Sequence, residues 1–434
     1  MVKGLRQKLK ILNADIFKVF SFTAISTLVK MLTSLISVKV IATIIGPSGI
    51  ALLGQLNSFA TIVMIIAAAG INNGVTKYVA EFNDSVEDIK KLLSTALRIT
   101  LLCAFFSGIL MIILSNYLSK LIMLDSSYGY VFIIFGLTVF LYALNGLIAS
   151  ILNGYKEFKL YVYVNIIGSL FGLVFTLILV FIWELKGALI SAVTFQSFMF
   201  FISLWMIRKL PWAKKEYFLL KIDKVSFNRY FKYSLMTLVT AATAPVAQLL
   251  LRGNIMANIS VVEAGWWEAM NRISNMYLMI ITTSFSVYYL PRLAEIVDTQ
   301  ELKKEIFKAF KIIVTFLLVL FTSVYICRFL IIKILFSKDF LEMQDLFLWQ
   351  LLGDFFKICS WLLAFLMIAK TMTKEFIISE VLFTSLFLIL AYAFMRFAGV
   401  VGITQAYALS YFIYFLAMVV LFRKILFNKI KINE

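Results

Sequence analysis

Four cations stand where a lipid-embedded helix tolerates them least: Lys30, Lys39, Arg252 and Arg272 all lie inside long apolar runs. A charge at a helix centre costs about 2.5–3.5 kcal/mol on insertion scales. Such residues persist where they face a watery cavity and meet something negative. A cationic cavity in a membrane points to an anionic cargo.

Depth sorts these charges, taking a rise of about 1.5 Å per helical residue. Lys39 falls near the outer end of its run and can snorkel outward, and Arg98 and Lys77 can reach the inner face. Lys30, Arg272, Asp354 and Lys357 are more than two turns from either end. Around Lys30, Thr23, Ser26, Thr27, Thr33, Ser34 and Ser37 recur at helical spacing, a hydroxyl stripe opposite a Leu/Ile face. This is the pattern of a helix lining a polar cavity, the alternative being a lysine paired with a buried acid for packing. Arg272 has Glu268 one turn earlier and Lys357 has Asp354 three residues earlier, so both can form pairs along one helix. For Asp354 and Lys357 the structural pair is the expectation. A guanidinium also fits a phosphate through two parallel hydrogen bonds, which makes Arg272 a candidate contact for an anion, with Glu268 releasing it or taking a proton. Glu380 lies about one turn into its run and is a third candidate acid. Pro245 removes a backbone hydrogen bond in mid-run and is a candidate hinge, with Arg252 two turns beyond it towards the outer side. Trp266 and Trp267 read as interfacial anchors, or as a surface for sugar stacking.

The elements that hold these residues are membrane helices. The 434 residues are 62% hydrophobic and 15% charged, which no soluble domain matches. About twelve runs are long enough to cross a bilayer: 17–45, 50–80, 91–115, 129–152, 160–182, 187–208, 229–257, 263–290, 304–327, 344–369, 375–396 and 400–422. They are continuous apolar runs, not the alternating segments of a barrel. The net charge of +18 is spread over the segments between runs rather than gathered in one patch, which argues against nucleic acid. The lysines and arginines favour cytoplasmic N- and C-termini, with the richest stretch at Arg208–Lys232. That stretch divides an N-terminal six-helix lobe, 1–208, from a C-terminal one, 229–434, across a basic linker, 209–228. A repeat at an offset of about 213 supports the division: Asp88-Ile89-Lys90-Lys91 aligns with Glu301-Leu302-Lys303-Lys304, and Ala80-Glu81 with Ala294-Glu295 one residue off. Six crossings per half make the repeats parallel. The expected fold is all-α and polytopic, two six-helix lobes around a central cleft.

Histidine is absent, and Cys103, Cys327 and Cys359 have no metal-ligand spacing. Neither a metal site nor a nucleophile–base constellation is visible, no Walker motif is present, and nothing requires a cofactor. The basic N-terminus leads into a span too long for a signal peptide.

Asn73-Gly74-Val75-Thr76-Lys77-Tyr78-Val79-Ala80 resembles a segment of the Wzx-type polysaccharide flippases. Gly46-Pro47-Ser48-Gly49, Ser284-Phe285-Ser286-Val287-Tyr288 with Leu290-Pro291, Asp345-Leu346-Phe347, Trp349-Gln350-Leu351 and Gly353-Asp354 are similar to that family as well. The matches run through both halves. The resemblance implies the multidrug/oligosaccharidyl-lipid/polysaccharide exporter superfamily: two lobes and alternating access. It implies a multi-pass protein of the bacterial inner membrane that moves undecaprenyl-diphosphate-linked oligosaccharide from the cytoplasmic to the periplasmic leaflet, for O-antigen or enterobacterial common antigen assembly. The partners would be that lipid-linked sugar, membrane lipid, and the pathway's glycan polymerase and chain-length regulator. Lys30, Lys77 and Arg252 fall in segments that match the family and would meet the diphosphate; Arg272 joins them on physical grounds alone. Two other classes compete. A drug/cation antiporter of the same superfamily would favour buried acids, and a glycan polymerase or ligase would carry large outer loops, which this chain lacks.

Overall fold

The structure, a computed structural model, describes the backbone of residues 2–427 and the side chains of residues 24–427 other than Leu235 and Met236. Thr23 of the hydroxyl stripe therefore lies outside the described side chains. Among the described residues every regular element is helical. The cause is the solvent: in lipid each backbone N–H and C=O must be satisfied within its own segment.

The principal helices are α1 (Val2–Ala67), α2 (Asn72–Glu81), α3 (Val86–Ile113), α4 (Ser115–Met123), α5 (Gly129–Gly154), α6 (Phe158–Ile207) and α7 (Lys224–Asn258). They continue with α8 (Val261–Ser284), α9 (Leu290–Glu295), α10 (Thr299–Ile326), α11 (Arg328–Leu335), α12 (Phe347–Ala369), α13 (Thr373–Leu421) and α14 (Arg423–Phe427). A π-helical turn, Phe285–Tyr289, joins α8 to α9.

Among the described residues eight helical stretches are long and apolar enough to cross a membrane. Three are of double length, 44, 50 and 49 residues, in α1, α6 and α13. Each is broken once: at Gly46 (φ 65°), at Glu184 (φ 48°) and at Ala398–Gly399 (φ 58° for Gly399). Gly46 has no Cβ to oppose a left-handed φ, and Pro47 behind it has φ preset for a helix start. With each broken helix counted as two and α8 added, the crossings are the twelve of the sequence. The chain is a multi-pass membrane protein.

By packing the chain divides into two units. The first runs to Val246, less residues 45–52; the second takes residues 45–52 and everything from Ala247. The boundary falls inside α7, one residue after Pro245, and α7 stays helical through that proline. In the first unit α5 packs against α2, α3 and α6. Its buried core includes Val75, Val79, Leu92, Leu93, Leu147, Ile151 and Tyr230. In the second unit α12 packs against α13, α10 and α8, burying Phe347, Ile358, Leu362, Leu363 and Ile403.

Backbone features recur at the offset of the sequence repeat. Helices α3 and α10 are both 28 residues long and start 213 apart. Both are capped by a side chain that accepts from the third residue on, Ser85 from Asp88 and Asp298 from Glu301, with acids in the first turn. Lys156 and Thr371, 215 apart, share a left-handed φ (59° and 57°), and so do Glu184 and Gly399, again 215 apart.

Candidate functional site

Helices α7 and α8 bring three charges together in the second unit. Glu268 accepts from Arg252 Nη2 at 2.5 Å through Oε2 and from Arg272 Nε at 3.0 Å through Oε1. The Arg272 bond is the one-turn pair read from the spacing. The Arg252 bond spans sixteen residues across the α7–α8 connection, which helical spacing cannot reveal. Arg252 is 1% exposed, and its guanidinium lies 5.6 Å from the centre of the Trp267 ring. Such stacking suits a flat, weakly hydrated cation. Two guanidiniums on one carboxylate leave the cluster with a net charge of +1. The Arg272 side chain is 17% exposed, so of the two arginines it is the less enclosed.

The tryptophans are occupied elsewhere. Trp267 is buried under Arg252, and Trp266 donates from Nε1 to the Asp339 carbonyl at 2.8 Å.

A second buried network centres on Asp354, which is fully enclosed. Its Oδ2 accepts from Ser274 Oγ (2.6 Å), from the Tyr277 hydroxyl and from Gln350 Nε2 (3.4 Å). Its Oδ1 accepts from the Tyr407 hydroxyl at 2.7 Å. Lys357 does not ion-pair with Asp354 directly. Its Nζ donates to the Tyr407 hydroxyl at 3.1 Å, so Tyr407 stands between acid and base. The same ammonium lies 5.0–5.5 Å from the ring centres of Trp361, Tyr407 and Tyr411. The reason is geometric: Asp354 points to α8, where Ser274 and Tyr277 offer hydroxyls, and Lys357 turns to the aromatic side of α13. Glu380 is half-buried on α13, within electrostatic reach of Lys357. Ser274, Tyr277, Gln350 and Tyr407 are site residues that sequence spacing missed, because each reaches Asp354 from another helix or another turn. Helix α8 thus serves both networks, with Glu268 and Arg272 on one side and Ser274 and Tyr277 on the other.

Lys30 belongs to the first unit, on α1. The helix is exposed there on two opposite faces. One carries Leu28, Leu32 and Ile36; the other carries Lys30 and Ser34. Thr33, on the buried edge between them, donates to the Val29 and Lys30 carbonyls at 2.9 and 3.0 Å. An apolar exposed face suits lipid, and a polar one suits water. Lys77, exposed on α2, holds its ammonium 5.3 and 5.1 Å from the ring centres of Tyr78 and Tyr233. Arg229 lies over Phe82 at 4.4 Å in the same group.

Among the described residues no cluster of three or more His, Cys, Asp or Glu could hold a metal ion. The buried polar groups of the second unit are thus cations held by carboxylate and hydroxyl partners.

Known proteins share both the sequence and the fold of this chain. The chain is 29% identical to the lipid III flippase of Escherichia coli (strain K12) over 394 residues, 91% of this chain and 95% of that one. The lipid III flippase of Shigella flexneri matches to the same extent. Among solved structures, an inward-facing multidrug resistance MATE family transporter of the MOP superfamily superposes with a TM-score of 0.76 at 13% identity. It covers 92% of this chain and 95% of its own. The lipid II flippase MurJ in an inward closed conformation gives 0.74 at 16% identity, over 92% and 87%. These two share the fold. Residues 16–297 match the model of the polysaccharide biosynthesis protein family. That match covers well over half of the chain, which belongs to the polysaccharide biosynthesis protein family.

Proposed function

We propose that the protein is a flippase that carries an undecaprenyl-diphosphate-linked oligosaccharide from the cytoplasmic to the periplasmic leaflet of a bacterial inner membrane by alternating access. The observation that carries this reading is the near full-length similarity to two lipid III flippases. O-antigen or enterobacterial common antigen assembly is the process it would serve, and the pathway's polymerase and chain-length regulator are the partners it would meet. Both termini would be cytoplasmic, and the two lobes would be the halves of a duplication about the 209–228 linker.

The cations fit a diphosphate cargo. Such a headgroup carries about two negative charges, and fixed guanidinium and ammonium groups replace the water it must shed. Arg272 would receive it by exchanging its bond to Glu268, while Arg252, enclosed with Trp267, would keep the carboxylate in place. Lys30 and Lys77 would meet the headgroup from exposed positions on their helices. With the cytoplasm negative, outward movement of an anion is downhill by about 2.3 kcal/mol per charge per 100 mV, hence about 4–5 kcal/mol for two charges.

Deletion in the native strain tests the function. Loss of one surface glycan, with its lipid-linked repeat held in the inner leaflet, is the expected outcome. Normal glycan with altered drug tolerance would favour the antiporter class instead. Lys30→Ala and Arg272→Ala should each lower export while the protein still inserts; normal export by both would remove these residues from the route. In proteoliposomes, collapsing the membrane potential should slow outward movement.

A further inference from the structure

The connection between α6 and α7 is fastened to α3. Ser94 Oγ donates to the Tyr217 carbonyl and accepts from Leu220 N, both at 3.1 Å. Thr95 Oγ1 accepts from Asp223 N at 3.0 Å, and Arg98 donates to the Leu219 carbonyl at 3.4 Å. Trp212 is buried and stacks on Tyr155 at 5.5 Å with the rings 7° apart. The first turns of α7 then bury Ser226 and Tyr230, whose hydroxyl donates to the Leu92 carbonyl at 3.3 Å. One side of residues 212–232 is therefore consumed by packing.

The other side is open and mixed in character. Leu219 (69%), Ile222 (43%), Val225 (57%), Phe227 (42%) and Phe231 (61%) are exposed. Lys214, Lys215, Lys221, Lys224 and Lys232 are exposed among them. The two acids of the stretch are already engaged. Glu216 pairs with Lys90 at 3.3 Å, and Asp223 accepts from Ser226 N at 2.8 Å and Ser226 Oγ at 2.7 Å. Five lysines thus face outward with no acid partner among the described residues.

Lysines interleaved with large exposed apolar side chains match a lipid–water boundary, where stems and rings enter the acyl region and ammonium groups stay at the phosphates. A nucleic acid or an acidic peptide would account for the lysines but not for Leu219, Phe227 and Phe231. We infer that residues 214–232 form a docking surface for anionic phospholipid headgroups. The hydrogen bonds to Ser94, Thr95 and Arg98 hold that surface against α3, so lipid binding acts on the helix and not on a loose loop.

The test uses the full chain in nanodiscs of phosphatidylcholine alone or of an equal mixture with phosphatidylglycerol, read by hydrogen–deuterium exchange over 214–232. A lysine at an anionic surface contributes about fivefold in binding. Exchange of this stretch should therefore slow at least about fivefold in the mixture, and the effect should shrink at high salt. K214Q/K215Q/K221Q/K224Q should exchange alike in both lipids while matching wild type in phosphatidylcholine, where its fold is checked. Equal exchange of wild type in both lipids would overturn the assignment. So would unchanged protection in the quadruple variant, or equal protection by inorganic pyrophosphate in phosphatidylcholine discs, which would mark a general anion surface.

Discussion

Replacing Glu268 should cost more than replacing the arginine buried against it. The three groups Arg252, Glu268 and Arg272 sum to +1. Arg252→Met leaves Glu268 paired with Arg272 at 3.0 Å, a neutral one-to-one pair, and fills the site with a side chain of similar reach. Glu268→Met leaves two guanidiniums with a charge of +2 in the same place, one of them 1% exposed and retaining only its remaining contacts, such as the Trp267 ring. Removing one partner of a buried ion pair costs about 3–5 kcal/mol, whereas exchanging the whole pair for apolar residues is often near neutral. The expected order is therefore Glu268→Met, at about 3–5 kcal/mol, above Arg252→Met, with the double variant milder than Glu268→Met alone. Unfolding free energies in mixed micelles with graded denaturant give all four corners of the cycle. If Arg252→Met were as damaging as Glu268→Met, or if the two effects added without coupling, the shared-carboxylate account would be wrong.

Three further outcomes are expected. At Gly265 a Cβ would lie 2.0 Å from the Pro47 carbonyl oxygen, so Gly265→Ala forces backbone apart and should cost about 1–3 kcal/mol or more; unchanged thermal stability would refute that contact. Tyr407 bridges Asp354 and Lys357, so the coupling between Asp354→Asn and Lys357→Met should vanish in a Tyr407→Phe background; coupling that persists would place the interaction elsewhere. Outside the spans, the Ser226 backbone N–H and then its hydroxyl hold the Asp223 carboxyl below the usual carboxylate range. A depressed pKa contributes stability that is present above the unfolded value, about 3.9, and is lost as pH falls through the folded one. The gap in melting temperature between wild type and Asp223→Asn should accordingly close on acidification below about pH 4, and a gap independent of pH would contradict it.

The crossings were legible because lipid imposes one signal, apolar length, on every span. The breaks were legible in part. Gly46-Pro47 and Gly399 announce themselves, but Glu184 takes a left-handed φ with no glycine to mark it. Within one helix, the pairing of Arg272 with Glu268 followed from spacing alone. Contacts between helices did not. Spacing puts Arg252 two turns beyond Pro245 towards the outer side, but it does not show the bond to Glu268 or the stacking on Trp267. Asp354 and Lys357 share a face by spacing, yet each finds a better partner on a neighbouring helix. Side chains long enough to reach a neighbour choose among partners that a one-dimensional pattern does not contain.

Helix α8 also bears on how the chain enters the membrane. Its 24 residues include Glu263, Glu268 and Arg272, and it does not match the other crossings in apolar character. Two mid-helix charges cost several kcal/mol if α8 is inserted alone. The Arg252–Glu268 bond joins it to the last turns of α7, where a further buried charge faces the same difficulty. Inserted as one hairpin, α7 and α8 neutralise part of that charge before either meets lipid. The bond that hides Arg252 in the folded chain therefore also makes the hairpin less costly to insert than either helix alone.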